Sequence, residues 1–154
     1  DMRSSRNRFI ALVLMLALPA LSQAADGPSL KMIIDDNKVY VVLANTHDQP
    51  IKIRTDFLLA RLLGGLAFDI RRGGAVFPIT AHIDAELPTE KSYAVLAPGE
   101  LTGQTFDLPL IARFYMLQKG CYTISVIYHD GDAKEFGGFG GEVKSKPMAL
   151  CVGD

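Results

Sequence analysis

Three histidines, two cysteines and one short acidic run are the side chains of this sequence best suited to chemistry. His47, His82 and His129 each stand beside a turn or an acid, and His129 opens the run His129-Asp130-Gly131-Asp132. Neighbouring residues of a strand point to opposite faces, so adjacent His and Asp do not make a dyad. A nucleophile also needs a base and an orienting group that meet it in space, and no Gly-x-Ser-x-Gly elbow occurs. The histidines are therefore expected to be structural or solvent-facing, and no residue is assigned to catalysis.

Metal chemistry fares no better. Asp130, Asp132 and Glu135 invite comparison with a calcium loop, but the run lacks the length and closing bidentate Glu of an EF-hand. Its Asp-Gly pair reads more simply as a tight turn. Past the first 24 residues only Met32, Met116 and Met148 remain, none near a His in sequence, which argues against a copper site. Nothing around Cys121 and Cys151 supplies two further ligands at zinc spacing. No cofactor is expected.

The N-terminus sets the compartment in which those cysteines are read. Arg3, Arg6 and Arg8 precede an unbroken apolar run from Phe9 to Leu18, Pro19 breaks it, and Ser22-Gln23-Ala24 offers small residues for cleavage. This is the layout of a secretory signal peptide over residues 1–24, with a single mature domain over 25–154 and a periplasmic or secreted destination. The apolar stretch is short for a span, which takes about 20 residues. In an oxidising compartment Cys121 and Cys151 are expected to form one disulfide, closing a loop of about 30 residues that is worth roughly 3–4 kcal/mol.

Charge excludes other partners. The whole chain has 16 Lys+Arg and 17 Asp+Glu. Removing Arg3, Arg6, Arg8 and Asp1 leaves 13 and 16, a net charge of −3. No basic stripe remains for nucleic acid, and no second apolar run is long enough for a membrane.

The elements that must position these residues are read from a period of two. Lys38–Ala44 is β-branched and aromatic, Ile51–Phe57 alternates strictly, and Leu66–Arg71 alternates again before a Gly73-Gly74 hairpin turn. Ala75–Ile83 follows as a strand interrupted by Pro78. Ser92–Leu96 leads into the turn Ala97-Pro98-Gly99. Gly120–Tyr128 is the clearest strand, with Tyr122, Ile124, Val126 and Tyr128 on the face expected to meet the core. Pro147–Val152 closes the domain. Turn-spaced strands of this kind argue an antiparallel two-sheet sandwich of about seven to eight strands. Helix is expected only near Leu58–Leu63, which reads equally as a strand end, and near Leu108–Phe114.

The second half also has a recognisable order of motifs: Tyr93-Ala94-Val95-Leu96-Ala97-Pro98-Gly99-Glu100, Phe106-Asp107-Leu108, Tyr115-Met116-Leu117, Gly120-Cys121-Tyr122-Thr123-Ile124, and Phe139-Gly140-Gly141-Glu142-Val143-Lys144-Ser145-Lys146-Pro147. This order resembles bacterial secreted immunoglobulin-like domains, including the non-catalytic β-sandwich ahead of the catalytic domain in deuterolysin-like metallopeptidases. The likeness covers residues 93–152, with a weaker echo at 45–68. The chain departs from the pattern with Lys146 where Asn is usual and Phe139 where Trp is usual, and it contains no His-Glu-x-x-His zinc motif. The resemblance implies an immunoglobulin-like fold and an exported setting, and it implies no catalysis. Tyr115 is the candidate for a tyrosine corner, whose hydroxyl bonds backbone across a connection.

Two features are left for binding. Gly137–Gly141 hangs Phe139 between Gly138 and Gly140 on a glycine-rich loop, as a contact arm or as a ring folded back on the core. Leu59 and Leu62, in the pairs at 58–59 and 62–63, either lie exposed or are buried under the sandwich. The sequence thus points to a non-catalytic module acting on another protein, with inhibition of a hydrolase or peptidase as the concrete form. A small-molecule or glycan binder using exposed Tyr and Phe is the alternative.

Overall fold

The strands expected from period two form, and so do three that the pattern passes over. The computed structural model describes residues 27–57, 65–81 and 86–153. The signal-peptide reading of residues 1–24, His82, and the leucine stretch with Leu59 and Leu62 lie outside the described residues.

A hairpin opens the described chain. β1 (Ser29–Asp35) pairs antiparallel with β2 (Lys38–Ala44) around the two-residue turn Asp36-Asn37, where Asp36 takes a positive φ of 48°. β3 (Ile51–Arg54) pairs with β6 (Tyr93–Leu96) as a separate two-stranded ribbon. β4 (Gly65–Arg72) turns through Gly73-Gly74 into β5 (Ala75–Phe77). Both turn glycines have positive φ, 56° and 83°, the backbone that a tight two-residue hairpin needs. β7 (Leu101–Asp107) joins β2, and α1 (Leu108–Phe114) follows it at once. β8 (Gly120–His129), α2 (Ala133–Phe136), β9 (Val143–Lys144) and β10 (Met148–Val152) complete the chain.

The sheet orders are β1-β2-β7 and β10-β8-β4-β5, with β9 also on β8. Every pairing is antiparallel. Among the described residues 49% are strand and 12% helix, so the domain is mostly β. The described residues form ten strands in three sheets, where the sequence predicts seven to eight in two: β1 and β7 lie outside the predicted strands, the last edge strand is split, and the β3–β6 ribbon is bonded to neither larger sheet.

That split is a β-bulge. Lys144 faces Ile127 and Met148 faces Ile124, so four steps on one strand match three on the other. Ser145 fills the gap: its N–H donates to the Val126 carbonyl at 2.9 Å, and its Oγ accepts from the Val126 N–H at 2.9 Å. Pro147, which has no N–H to give, sits beside the bulge on the edge, where proline is tolerated.

One core joins the two larger sheets. Leu30 and Met32 of β1, Val39, Val41 and Leu43 of β2, and Phe106 of β7 pack with Leu66, Phe68 and Ile70 of β4 and Leu150 of β10. From β8 come Tyr122, Ile124, Val126 and Tyr128, the face expected to be inward, and all four are buried. α1 has the predicted bounds and adds Leu108 and Ile111, one helical turn apart. α2 and a 3-10 turn at Glu90–Ser92 form outside the two predicted helical neighbourhoods. β5 stops at Phe77, directly before Pro78.

Candidate interaction site

The acidic run after β8 proves to be a socket for an arginine. Arg54 ends β3 with its side chain wholly buried. Its Nε donates to Asp56 Oδ1 and its Nη2 to Asp56 Oδ2, a two-pronged pair, while Nη1 donates to Asp132 Oδ2 at 3.3 Å and lies 3.9 Å from Asp130 Oδ1. Buried charges survive only when paired and bonded in this way. The place where a calcium ion could be imagined among these carboxylates is filled by a guanidinium. Asp130 also shapes the turn itself, since its Oδ1 accepts the Asp132 N–H at 3.0 Å.

Two tyrosines close this cluster. The Tyr128 hydroxyl oxygen accepts the Arg54 backbone N–H at 3.0 Å, and burial pushes its pKa up to about 12. The Tyr93 hydroxyl and Asp130 Oδ2 are both buried without a partner of good bonding geometry. Burial first, and then the neighbouring Asp130 carboxylate, push Tyr93 well above the ordinary tyrosine range, so it stays protonated.

The glycine-rich loop is packed onto the same cluster. Gly138 lies so close to the Tyr93 ring that a Cβ there would stand 3.0 Å from it, and a Cβ on Gly141 would stand 2.4 Å from the Phe139 ring. The Phe139 N–H donates to the Lys52 carbonyl at 2.8 Å. Its ring stacks on Tyr128 with centroids 6.5 Å apart and packs, half-buried, against the core. Gly140 is exposed and Gly138 half-buried. Gly138 and Gly141 therefore answer a demand for close approach, with aromatic rings where other residues would put a side chain, and Gly137 supplies a positive φ of 64° at the end of α2.

Backbone groups left over by the sheets are taken up by further hydroxyls and one amide. Tyr115, the expected corner, is buried, and its hydroxyl oxygen accepts the Phe68 N–H of β4 at 2.9 Å. The bond to backbone four residues upstream is made by Tyr122, which donates to the Gln118 carbonyl at 2.7 Å. Asn45 is fully buried; its Nδ2 donates to the Gln49 and Leu96 carbonyls, and its Oδ1 accepts the His47 N–H. It pins the loop after β2 to β6, a role the sequence marked only as the end of a strand.

Cys121 and Cys151 are disulfide-bonded, as expected. They face each other directly across β8 and β10 with Cα atoms 4.0 Å apart, slightly closer than the usual range, as fits opposed residues of adjacent antiparallel strands. Among the described residues no three His, Cys, Asp or Glu side chains are grouped to hold a metal ion, and no helix is long and apolar enough to cross a membrane.

The surface most open to a partner lies elsewhere, between the first strand and the last. β1 bonds only to β2 and β10 only to β8, so each leaves one backbone edge unpaired by any described strand. Between these edges runs a groove of about 780 Å³. Leu30, Met32 and Ile33 line one side and Val143, Pro147 and Met148 the other. Ile33 is 55% exposed and stands opposite the exposed Tyr40 on β2. Lys31, Lys144 and Lys146 stand along the groove, and no carboxylate lines it. Lys144 is held by Asp69, whose pKa is lowered chiefly by its bond to Arg71 and then by Lys144. Lys31 and Lys146 are exposed and make no ion pair with a described residue.

Compared with protein-family models and with curated protein sequences, the chain matches none of either.

Proposed function

We propose that this chain is an exported, non-catalytic binding module that acts on another protein, built as an immunoglobulin-like sandwich. Inhibition of a hydrolase or peptidase is its concrete form. The sheet orders support the fold reading: β1-β2-β7 corresponds to strands A, B and E of such sandwiches, and β10-β8-β4-β5 to G, F, C and C′. The disulfide departs from the antibody pattern, since it joins neighbours within one sheet instead of bridging two. A periplasmic or secreted location is consistent with that disulfide and with the signal-like residues 1–24.

The observation that carries the functional reading is the edge of β1, left unpaired by any described strand beside an apolar groove, whereas the facing edge of β9 and β10 is blunted by its bulge and Pro147. Natural β-proteins cover or blunt such edges unless they serve association. The volume of the groove also falls in the range of small-ligand sites, which favours the small-molecule alternative as a second reading.

Site-directed photocrosslinking in the exporting cell tests the two. A benzophenone side chain at Ile33 should give a covalent adduct with a protein, whereas the same group at the exposed Val76 of β5 should not. Adducts of small molecules alone, or equal protein adducts at both positions, would overturn the protein-binding role.

A further inference from the structure

We infer that the groove takes an extended peptide segment of alternating acidic and apolar residues, which adds as a strand to the open edge of β1; this rests on the protein-binding role proposed above. Three observations on the groove converge on that occupant.

The first is backbone. Along Ser29–Asp35 the chain is bonded to β2 on one side only, so the other side presents a strand's worth of donors and acceptors. A helix or a folded loop cannot meet them, because its own backbone groups are already spent. An extended chain can, and such strand addition supplies affinity from the main chain and specificity from alternate side chains.

The second is periodicity. On β1, Leu30 and Met32 turn inward and are buried, while Lys31 and Ile33 are exposed on the other face. A strand laid beside β1 has the same period of two. Half of its side chains enter the groove against Leu30, Met32 and Met148, and half run beside Lys31. The apolar set of the incoming strand is thus fixed to one face.

The third is charge. Three lysines and no carboxylate line the groove, in a chain whose formal net charge is −1. Lys31 and Lys146 are not engaged by any described acid, whereas the acids near β3 and β8 are spent on Arg54. A neutral or basic strand would leave these cations facing nothing or facing like charge. An acidic one pairs them at the edge of a desolvated groove, where complementary charge selects a partner.

The test uses synthetic peptides and the disulfide-bonded protein. The probe is acetyl-(Glu-Val)4-amide, with its Lys-Val counterpart and a version carrying proline at a central position. The acidic peptide should bind, and it should slow amide exchange in β1 while leaving β5, on the far edge, unchanged. The double variant Lys31→Glu, Lys146→Glu should weaken it by roughly tenfold or more and bring in the Lys-Val peptide. Proline should abolish binding, because it removes a ladder donor.

Binding that survives proline would overturn strand addition, and binding indifferent to charge reversal would overturn the acidic specificity. No binding of the acidic peptide overturns both. β1 protection that depends on protein concentration without peptide would assign the edge to a second copy of the chain and also overturn the inference. If Ile33 still crosslinks to a protein in any of these cases, the broader binding role stands and only the peptide class is lost. If Ile33 crosslinks to none, both fall together.

Discussion

Two neighbouring regions of this domain both combine charge with apolar surface, and they differ in the direction those groups face. Around Arg54 the chain buries Asp130, Tyr93 and Tyr128 and gathers the half-buried Asp56, Asp132 and Phe139 against them. Around β1 it brings together Lys31, Ile33, Lys146 and Met148, and leaves them at the surface beside unpaired backbone. The first region holds residues that look chemical in a sequence: a paired-Asp turn and glycines around an aromatic. In the fold they lock the β3–β6 ribbon and the loop after α2 onto β8. The second region is made from a strand with no motif at all. Charge that is paired and buried stabilises or specifies a fold, whereas charge beside open edges is available to a partner.

Breaking the Arg54 cluster should have the largest effect. Arg54→Ala strands a group of carboxylates around an empty place and is expected to cost about 3–5 kcal/mol in denaturant unfolding. A loss under about 1 kcal/mol would mean that the cluster is solvated in solution. Phe139→Ala should follow, at about 2–4 kcal/mol for a half-buried ring stacked on Tyr128. An unchanged melting curve, joined to lost partner binding, would instead return Phe139 to the role of contact arm.

Opening the disulfide by Cys121→Ser with Cys151→Ser is expected to cost about 2–3 kcal/mol, somewhat under the loop-entropy value of roughly 3–4 kcal/mol for this spacing. The double variant should still fold, because the core packs without the sulfurs; loss of the near-ultraviolet dichroism would contradict this.

The tyrosines sharpen the comparison without mutation. Tyr93, Tyr115 and Tyr128 all have raised pKa values, with burial as the first cause. The unfolded chain ionises them near pH 10, so between there and about 12 the folded state holds more protons. Stability should be intact below pH 10 and fall as pH rises through that window. Tyrosinate absorbance that develops fully near pH 10 with the protein still folded would show these tyrosines to be open to water.

The smallest stability effect belongs to the β1 edge. Ile33→Asp lies on an exposed edge and should change stability by no more than about 0.5 kcal/mol, while removing the crosslinkable partner contact. A large destabilisation would show that Ile33 is part of the packing of β1 and not of a binding surface.

Much of the frame was legible because strands with one buried face must alternate. Gly120–Tyr128, Lys38–Ala44 and Leu66–Arg71 carry that alternation openly, and α1 falls in one of the two neighbourhoods where helix is expected. β1 escaped because Ile33 interrupts the alternation of Leu30, Met32 and Ile34; the Asp36-Asn37 turn was the signal that could have exposed it. β7 escaped because Phe106 is its only buried residue, so nothing local asks Leu101–Asp107 to be a strand until β2 offers it a ladder. Gly138 and Gly141 suggested motion because a sequence lists glycines without the rings pressed against them.

The sequence by itself determined the antiparallel β class, the core face of β8 and the pairing of its two cysteines, since each follows from local periodicity or from there being only two thiols to join. The tertiary structure alone decided that Arg54 neutralises the acidic turn, that Phe139 lies on Tyr128, and that β1 and β10 end their sheets with an apolar groove between them. Those outcomes depend on contacts between residues far apart in the chain, such as Arg54 with Asp132. No local pattern encodes which edges remain unpaired once every other strand has found its neighbour.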